Sequence, residues 1–150
     1  MPQSLIRNYI HITFSTKNRF PFIIGDIEPE IHNYIGGICK KLECNPIIVG
    51  GHFDHVHLLC LLSQKIALMN LIQKIKSNSS SWIKTKSQDL FNFYWQDGYG
   101  AFSVNPSEIE IVKNYIEKQH EHHKTKTFKE EYLSFLKKYE VEYDEKYIWD

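Results

Sequence analysis

The sequence predicts an α+β domain: a ferredoxin-like, split βαβ antiparallel sheet with helices on one face and extra helices at the C-terminal end. Three observations carry this. Short alternating segments and 3.6-periodic segments follow one another in the order β-α-β-β-α-β. The chain has 150 residues, enough for one domain with a sizeable core. No repeat or linker interrupts it, so residues 1–150 read as a single domain.

The first strand is "NYIHITFSTK" (8–17). Tyr9, His11, Thr13 and Ser15 alternate with Ile10, Ile12 and Phe14, the pattern of a half-buried strand. Pro21 and Gly25 break the connection that follows. From about Asp26 to Leu42, the spacing Ile31, Tyr34, Ile35, Ile38, Leu42 reads as an amphipathic helix. Two antiparallel strands come next. Ile47 to Val49 belong to one; Val56, Leu58 and Cys60 alternate with His55, His57 and Leu59 in the other. Gly50, Gly51 and Asp54 are the expected place for a bend or bulge. Ile66, Leu68, Leu71, Ile72, Ile75 and Trp82 mark a helix over about 66–86, which "SNSSS" is expected to end or bend. "AFSV" is a short strand. Asn105, Pro106 and Glu108 open a helix to about His123, with Ile109, Val112 and Ile116 as its core stripe. A last helix begins at Thr127. Such a sheet buries one face under its helices and leaves the other for a ligand or a second subunit.

Composition narrows the function. No run of about 18 apolar residues appears, and the N-terminus has no signal-peptide core, so the expected location is cytoplasmic, without a membrane. Cys39, Cys44 and Cys60 are odd in number and irregularly spaced, with no Cys-x-x-Cys, which indicates buried thiols. Net charge is zero, but Lys74, Lys76, Lys84 and Lys86 cluster while acids gather in the tail.

The stretch "GGHFDHVHLLCLL" (50–62) carries the chemistry. His55 and His57 are two apart on a strand, so both imidazoles point to one side, about 6.6 Å apart at Cα. Together they can converge on one cation, but they leave a divalent ion short of ligands. In "VKNYIEKQHEHH" (112–123), Tyr115 and Gln119 are four apart on one helical face, which continues to His123. Gln119 offers a carbonyl oxygen and Tyr115 a phenol. His120, His122 and His123 do not make His-Glu-x-x-His, so a metalloprotease is not supported; they are expected at the surface, with His123 as a reserve ligand.

"HVH" on a strand followed by "NYIEKQ" on a late helix resembles the HUH single-tyrosine transposases of the smallest bacterial insertion sequences and their REP-associated relatives. The segments "YIHITFSTKNRFPFII" (9–24), "IKSNSSSWI" (75–83), "FYWQDGYGAFSV" (93–104) and "FKEEYLSFLKKYEVEYDEKYIW" (128–149) are similar to that family's blocks, in its order. The resemblance implies a transposase that cleaves and rejoins single-stranded DNA through a 5′-phosphotyrosine. It implies Tyr115 as nucleophile, and His55, His57 and Gln119 as ligands of Mg²⁺ or Mn²⁺. It further implies recognition of hairpin ends and a homodimer joined sheet edge to sheet edge, with active sites shared or not. Lys17, Arg19, Lys74 and Lys76 are the expected phosphate contacts. The alternatives are a non-catalytic module of the RNA-recognition type, built on the same element order, and a domesticated hairpin-binding relative. A small zinc protein using His55, His57 and His52 is a further alternative. A module of the RNA-recognition type needs neither paired histidines nor a helical Tyr-x-x-x-Gln, and the intactness of all four chemical positions speaks against a relative that has lost activity.

Overall fold

The computed structural model describes residues 2–150. Its elements follow the expected order: β1 (Tyr9–Ser15), α1 (Ile27–Lys41), β2 (Pro46–His52), β3 (His55–Leu61), α2 (Leu68–Lys84) and β4 (Gly100–Ser103). Three helices close the fold: α3 (Ile109–Glu117), α4 (Gln119–His122) and α5 (Phe128–Lys138). The sheet is antiparallel, in the order β2-β3-β1-β4. This is the split βαβ arrangement: β1 and β3 are the central pair, each joined to an edge strand.

Alternation on the central strands sorts their residues between two layers. Ile10, Ile12 and Phe14 of β1 and Val56, Leu58 and Cys60 of β3 face α1 and α2. There they join Ile31, Ile35 and Ile38 from one helix and Leu71, Ile72 and Ile75 from the other. The serine-rich stretch does not interrupt α2, contrary to the sequence expectation. Ser79 is buried, and its hydroxyl donates to Ile75 O at 2.5 Å and accepts from Trp95 Nε1 at 2.9 Å, so its polar group is satisfied without leaving the helix.

The opposite face differs most from expectation. β1 is buried on both sides, not half-buried. The residues His11, Thr13, Ser15, His55 and His57 are each at most 1 % exposed. Helices α3, α4 and α5 of the same chain cover this face, so it is not left open for a second subunit. Phe102, Phe128, Tyr132 and Leu136 anchor α5, and its start carries a capping box between Thr127 and Glu130.

The hairpin is tighter than expected. β2 runs through Gly50 and Gly51 to His52, which pairs with His55, so only Phe53 and Asp54 form the turn. The register irregularity lies instead between Pro46 and Ile48. The glycines serve packing. A Cβ on Gly50 would lie 2.7 Å from Ile116 Cγ2 and 2.8 Å from Ile116 O, so a larger residue would push α3 off the sheet. Gly51 has φ +151, and a Cβ there would meet His55 O at 2.2 Å.

Candidate active site

His55 and His57 stand on β3 beside Ser15 and Thr13 of β1. Each outer ring nitrogen is held. Asp54 Oδ1 lies 2.7 Å from His55 Nδ1, and His11 Nε2 lies 2.8 Å from His57 Nδ1. Both Nε2 atoms therefore turn inward, toward α3–α5. Fixing one nitrogen of an imidazole to orient the other is how proteins prepare histidine for a metal.

The inward nitrogens meet an acid that sequence reasoning missed. Glu131 of α5 is 2 % exposed, and its Oε1 lies 2.9 Å from His57 Nε2 and 3.5 Å from His55 Nε2. Its Oε2 accepts from Gln119 Nε2 at 3.0 Å and from the Tyr115 hydroxyl. Gln119 is itself buried, with Oε1 2.8 Å from His55 Nε2. The ring of Tyr115 stacks on His122 and stands edge-on to His57, with centroids 4.6 and 6.0 Å away. Tyr115, Gln119, His55 and His57 thus gather within one chain, around Glu131.

Two further corrections concern the late helix. It is broken: Lys118 leaves helical geometry at φ −99, ψ 22 and separates α3 from α4. The break keeps residues 115 and 119 on the same side, so both still reach Glu131. His123 is not a surface residue; its side chain is 3 % exposed, with Nε2 2.9 Å from Gln119 Oε1 and 3.4 Å from Glu131 Oε2. His120 is exposed, between His52 Nδ1 at 2.6 Å and Glu28 Oε1 at 2.7 Å.

Electrostatics divide the cluster into charged and neutral members. Burial pushes the Glu131 carboxyl up, but hydrogen bonds from His123 and His57 outweigh it and hold the group well below the usual carboxylate range. Burial lowers His123 as well, yet its bond to Glu131 leaves it above an ordinary histidine. Burial keeps His57 and His11 below the ordinary value and therefore neutral. Tyr115 is pushed well above an ordinary phenol, by burial first and by the Glu131 charge second.

The donor set fits a metal ion. One ligand atom each from His55, His57 and Glu131 lie within 4.8 Å of one another, all buried. With Asp54 on its Nδ1 side, His55 sets its Nε2 2.8 Å from Gln119 Oε1, two atoms that can both serve as ligands of one cation. Two imidazoles with a carboxylate and a carboxamide suit a borderline or hard divalent ion.

The expected phosphate contacts lie outside this cluster. Lys17 and Lys74 are exposed. Arg19 donates to Trp149 O at 3.2 Å, with its guanidinium 5.6 Å from the Trp149 ring. Lys76 spends its three protons on the carbonyls of Gln96, Asp97 and Gly98, at 2.7 to 3.0 Å. It braces that loop, and would have to release a carbonyl to meet a phosphate.

Residues 4–119 match the family model described as "Transposase IS200 like", which is most of the chain and includes every expected site residue. The chain belongs to the IS200-like transposase family. Family membership makes it a transposase, a DNA-processing enzyme. Glu131 and His123 of this IS200-like transposase lie beyond the matched segment, in α5 and in the turn that follows α4. Two solved structures share its fold. One is a candidate transposase from Deinococcus radiodurans R1, 16 % identical, covering 79 % of this chain and 96 % of that one at a TM-score of 0.61. The other is a REP-associated tyrosine transposase bound to a REP hairpin, 14 % identical, covering 82 % and 73 % at 0.60. No curated protein sequence matches the chain significantly. Among the described residues, no helix is long and apolar enough to cross a membrane.

Proposed function

We propose that this IS200-like transposase cuts and rejoins single-stranded DNA with Tyr115 as nucleophile. The observation that carries the proposal is the convergence of the Tyr115 hydroxyl, the His55 and His57 Nε2 atoms and the Gln119 amide on one buried carboxylate. The REP-associated neighbour, solved with a hairpin, supports hairpin DNA as the substrate.

In this reading Tyr115 Oη attacks a phosphodiester, so that an Oη–P bond forms and the P–O3′ bond breaks. The phenol gives up its proton, and the departing oxygen takes one to become a 3′ hydroxyl. The 5′ phosphate stays on the protein as phosphotyrosine. A different 3′ hydroxyl then reverses the step and rejoins the strands. Bond number is conserved throughout, so no nucleotide cofactor is consumed.

An ordinary tyrosine needs about 4 kcal/mol to ionise at pH 7, and Tyr115 needs more while it lies against the Glu131 charge. His55, His57 and Glu131, with Gln119, would hold a divalent ion, Mg²⁺ or Mn²⁺. What such an ion supplies here is withdrawal of charge, both from Glu131 and from the nonbridging oxygens of the attacked phosphate. The packing of Tyr115 between His122 and His57 orients the phenol for attack. Lys17, Arg19, Lys74 and, on releasing a carbonyl, Lys76 are proposed to contact DNA phosphates. Homodimerisation through a free sheet edge, β2 or β4, is also proposed; Tyr115 already reaches the histidines of its own chain.

The test incubates the protein with labelled single-stranded hairpin DNA and Mg²⁺ or Mn²⁺. Wild type yields a covalent adduct and Tyr115→Phe none. His55→Ala and His57→Ala lose cleavage while keeping hairpin binding. An adduct formed by Tyr115→Phe would mean another nucleophile.

A further inference from the structure

A cleft opens between the β2–β3 turn and the loop joining α4 to α5, beside the candidate metal group. Arg19, Lys124 and Lys126 line it. Arg19 contacts the Trp149 carbonyl and ring and feels the Asp54 charge, and Lys126 donates to the Ser134 hydroxyl at 3.1 Å; among the described residues neither makes a direct ion pair, and Lys124 is exposed. Asp54, the one acid in the lining, faces His55. Phe53, at the tip of a two-residue turn, keeps 41 % of its surface exposed. Its ring stacks on His52, with centroids 4.0 Å apart at 21°. His52 stacks in turn with His123, at 5.1 Å and 22°. His123 Nε2 is 3.4 Å from Glu131. A ladder of three parallel rings therefore leads from solvent to the reacting cluster, with cations along its course.

We infer that this cleft is the subsite for the single-stranded nucleotide next to the scissile phosphate. Phe53 extends the ring ladder with a stacked base, and Arg19, Lys124 and Lys126 meet the flanking phosphates. Aromatic faces interleaved with unpaired cations are what a single strand requires: stacking accepts any base, and the cations follow its backbone. The inference rests on the strand-transfer reading above and names where its substrate lies.

The test measures binding of a fluorescein-labelled oligothymidine of about 12 nucleotides to the full chain by anisotropy, without metal. Phe53→Ala is expected to weaken binding roughly 5- to 100-fold, and Phe53→Trp to retain it. Lys124→Gln with Lys126→Gln should flatten the dependence of log K on log salt by about 1.4, or about 0.7 for each lost phosphate contact. Phe53→Ala and the double lysine variant both binding like wild type would overturn the inference, as would tighter binding of oligouridine than of oligothymidine. The hairpin adduct assay separates the two readings. Adduct formation with unchanged oligothymidine binding by the variants removes the subsite and leaves strand transfer standing. Weakened binding by the variants, with no adduct from wild type, does the reverse.

Discussion

The two faces of the sheet are equally buried and chemically opposite. On the α1–α2 face, β1 and β3 present only Ile10, Ile12, Phe14, Val56, Leu58 and Cys60. On the α3–α5 face the intervening residues His11, Thr13, Ser15, His55 and His57 are polar, none more than 1 % exposed, while Tyr9 and Leu59 at the other end of the strands pack with Val104 and Ile116. One strand pair thus makes the main core with its even-numbered residues and the candidate site with most of its odd-numbered ones. The first face gains free energy from burial. The second loses it unless every polar atom finds a partner. The partners are present: His57 has His11 and Glu131, His55 has Asp54 and Gln119, and Thr13 has the Val56 carbonyl. The larger apolar core therefore lies in one layer and the candidate site in the other, where the smaller clusters around Ile116 and Phe128 hold its covering helices, and substitutions should separate the two.

The largest effect is expected on the apolar face. Phe14 is 1 % exposed, with its ring edge-on to Trp95 at 4.8 Å. Phe14→Ala should destabilise the fold by about 3–5 kcal/mol. Urea unfolding would measure it. The fraction that remains folded should still form the covalent adduct at the wild-type rate. A loss under about 1 kcal/mol would break the comparison, since the α1–α2 face would then not be the stabilising layer.

A smaller effect, of a different kind, is expected at Glu131. Replacing it with glutamine keeps the size of the side chain but removes the charge that faces both Nε2 atoms, leaving Asp54 on the outer nitrogen of His55 as the remaining carboxylate of the pair. Mn²⁺ affinity should fall on the order of tenfold or more. Calorimetric titration would show this directly, and the rise in melting temperature on adding Mn²⁺ should shrink in parallel. Unchanged Mn²⁺ affinity would leave Gln119 as the third ligand and Glu131 as only the partner of the Tyr115 hydroxyl.

The same division explains how much of the molecule was legible in the sequence. The α1–α2 layer was nearly all legible, because period-2 and period-3.6 patterns are local properties of the chain. The histidine pair and the Tyr115–Gln119 pair were legible too, since i+2 on a strand and i+4 on a helix are also local. Their meeting was implied only by the family resemblance and not by the local pattern, because it depends on which helices fold back over the polar face. Glu131 did leave a signal. Phe128, Glu131, Tyr132 and Phe135 fall at i, i+3, i+4 and i+7, so an acid occupies a position on the inward stripe of α5. His123 continues the face of Tyr115 and Gln119, but its neighbours His120 and His122 made the run look like a solvated surface. The break at Lys118 left no mark, because it preserves the side on which residues 115 and 119 project.

The smallest effect sharpens the comparison by testing a residue of the polar face that takes no part in the chemistry. Thr13 lies beside His57 across the β1–β3 pair, and its hydroxyl donates to Val56 O at 2.9 Å. Valine has nearly the same shape and suits a strand as well. Thr13→Val removes one buried hydrogen bond and leaves the carbonyl its other lone pair for the strand ladder, so the loss should be about 1 kcal/mol. Chemical unfolding would resolve it, and Mn²⁺ affinity should not change. If metal affinity also falls, the orientation of His57 depends on Thr13 as well as on His11, and the polar face then acts as one coupled network rather than as a set of separately satisfied pairs.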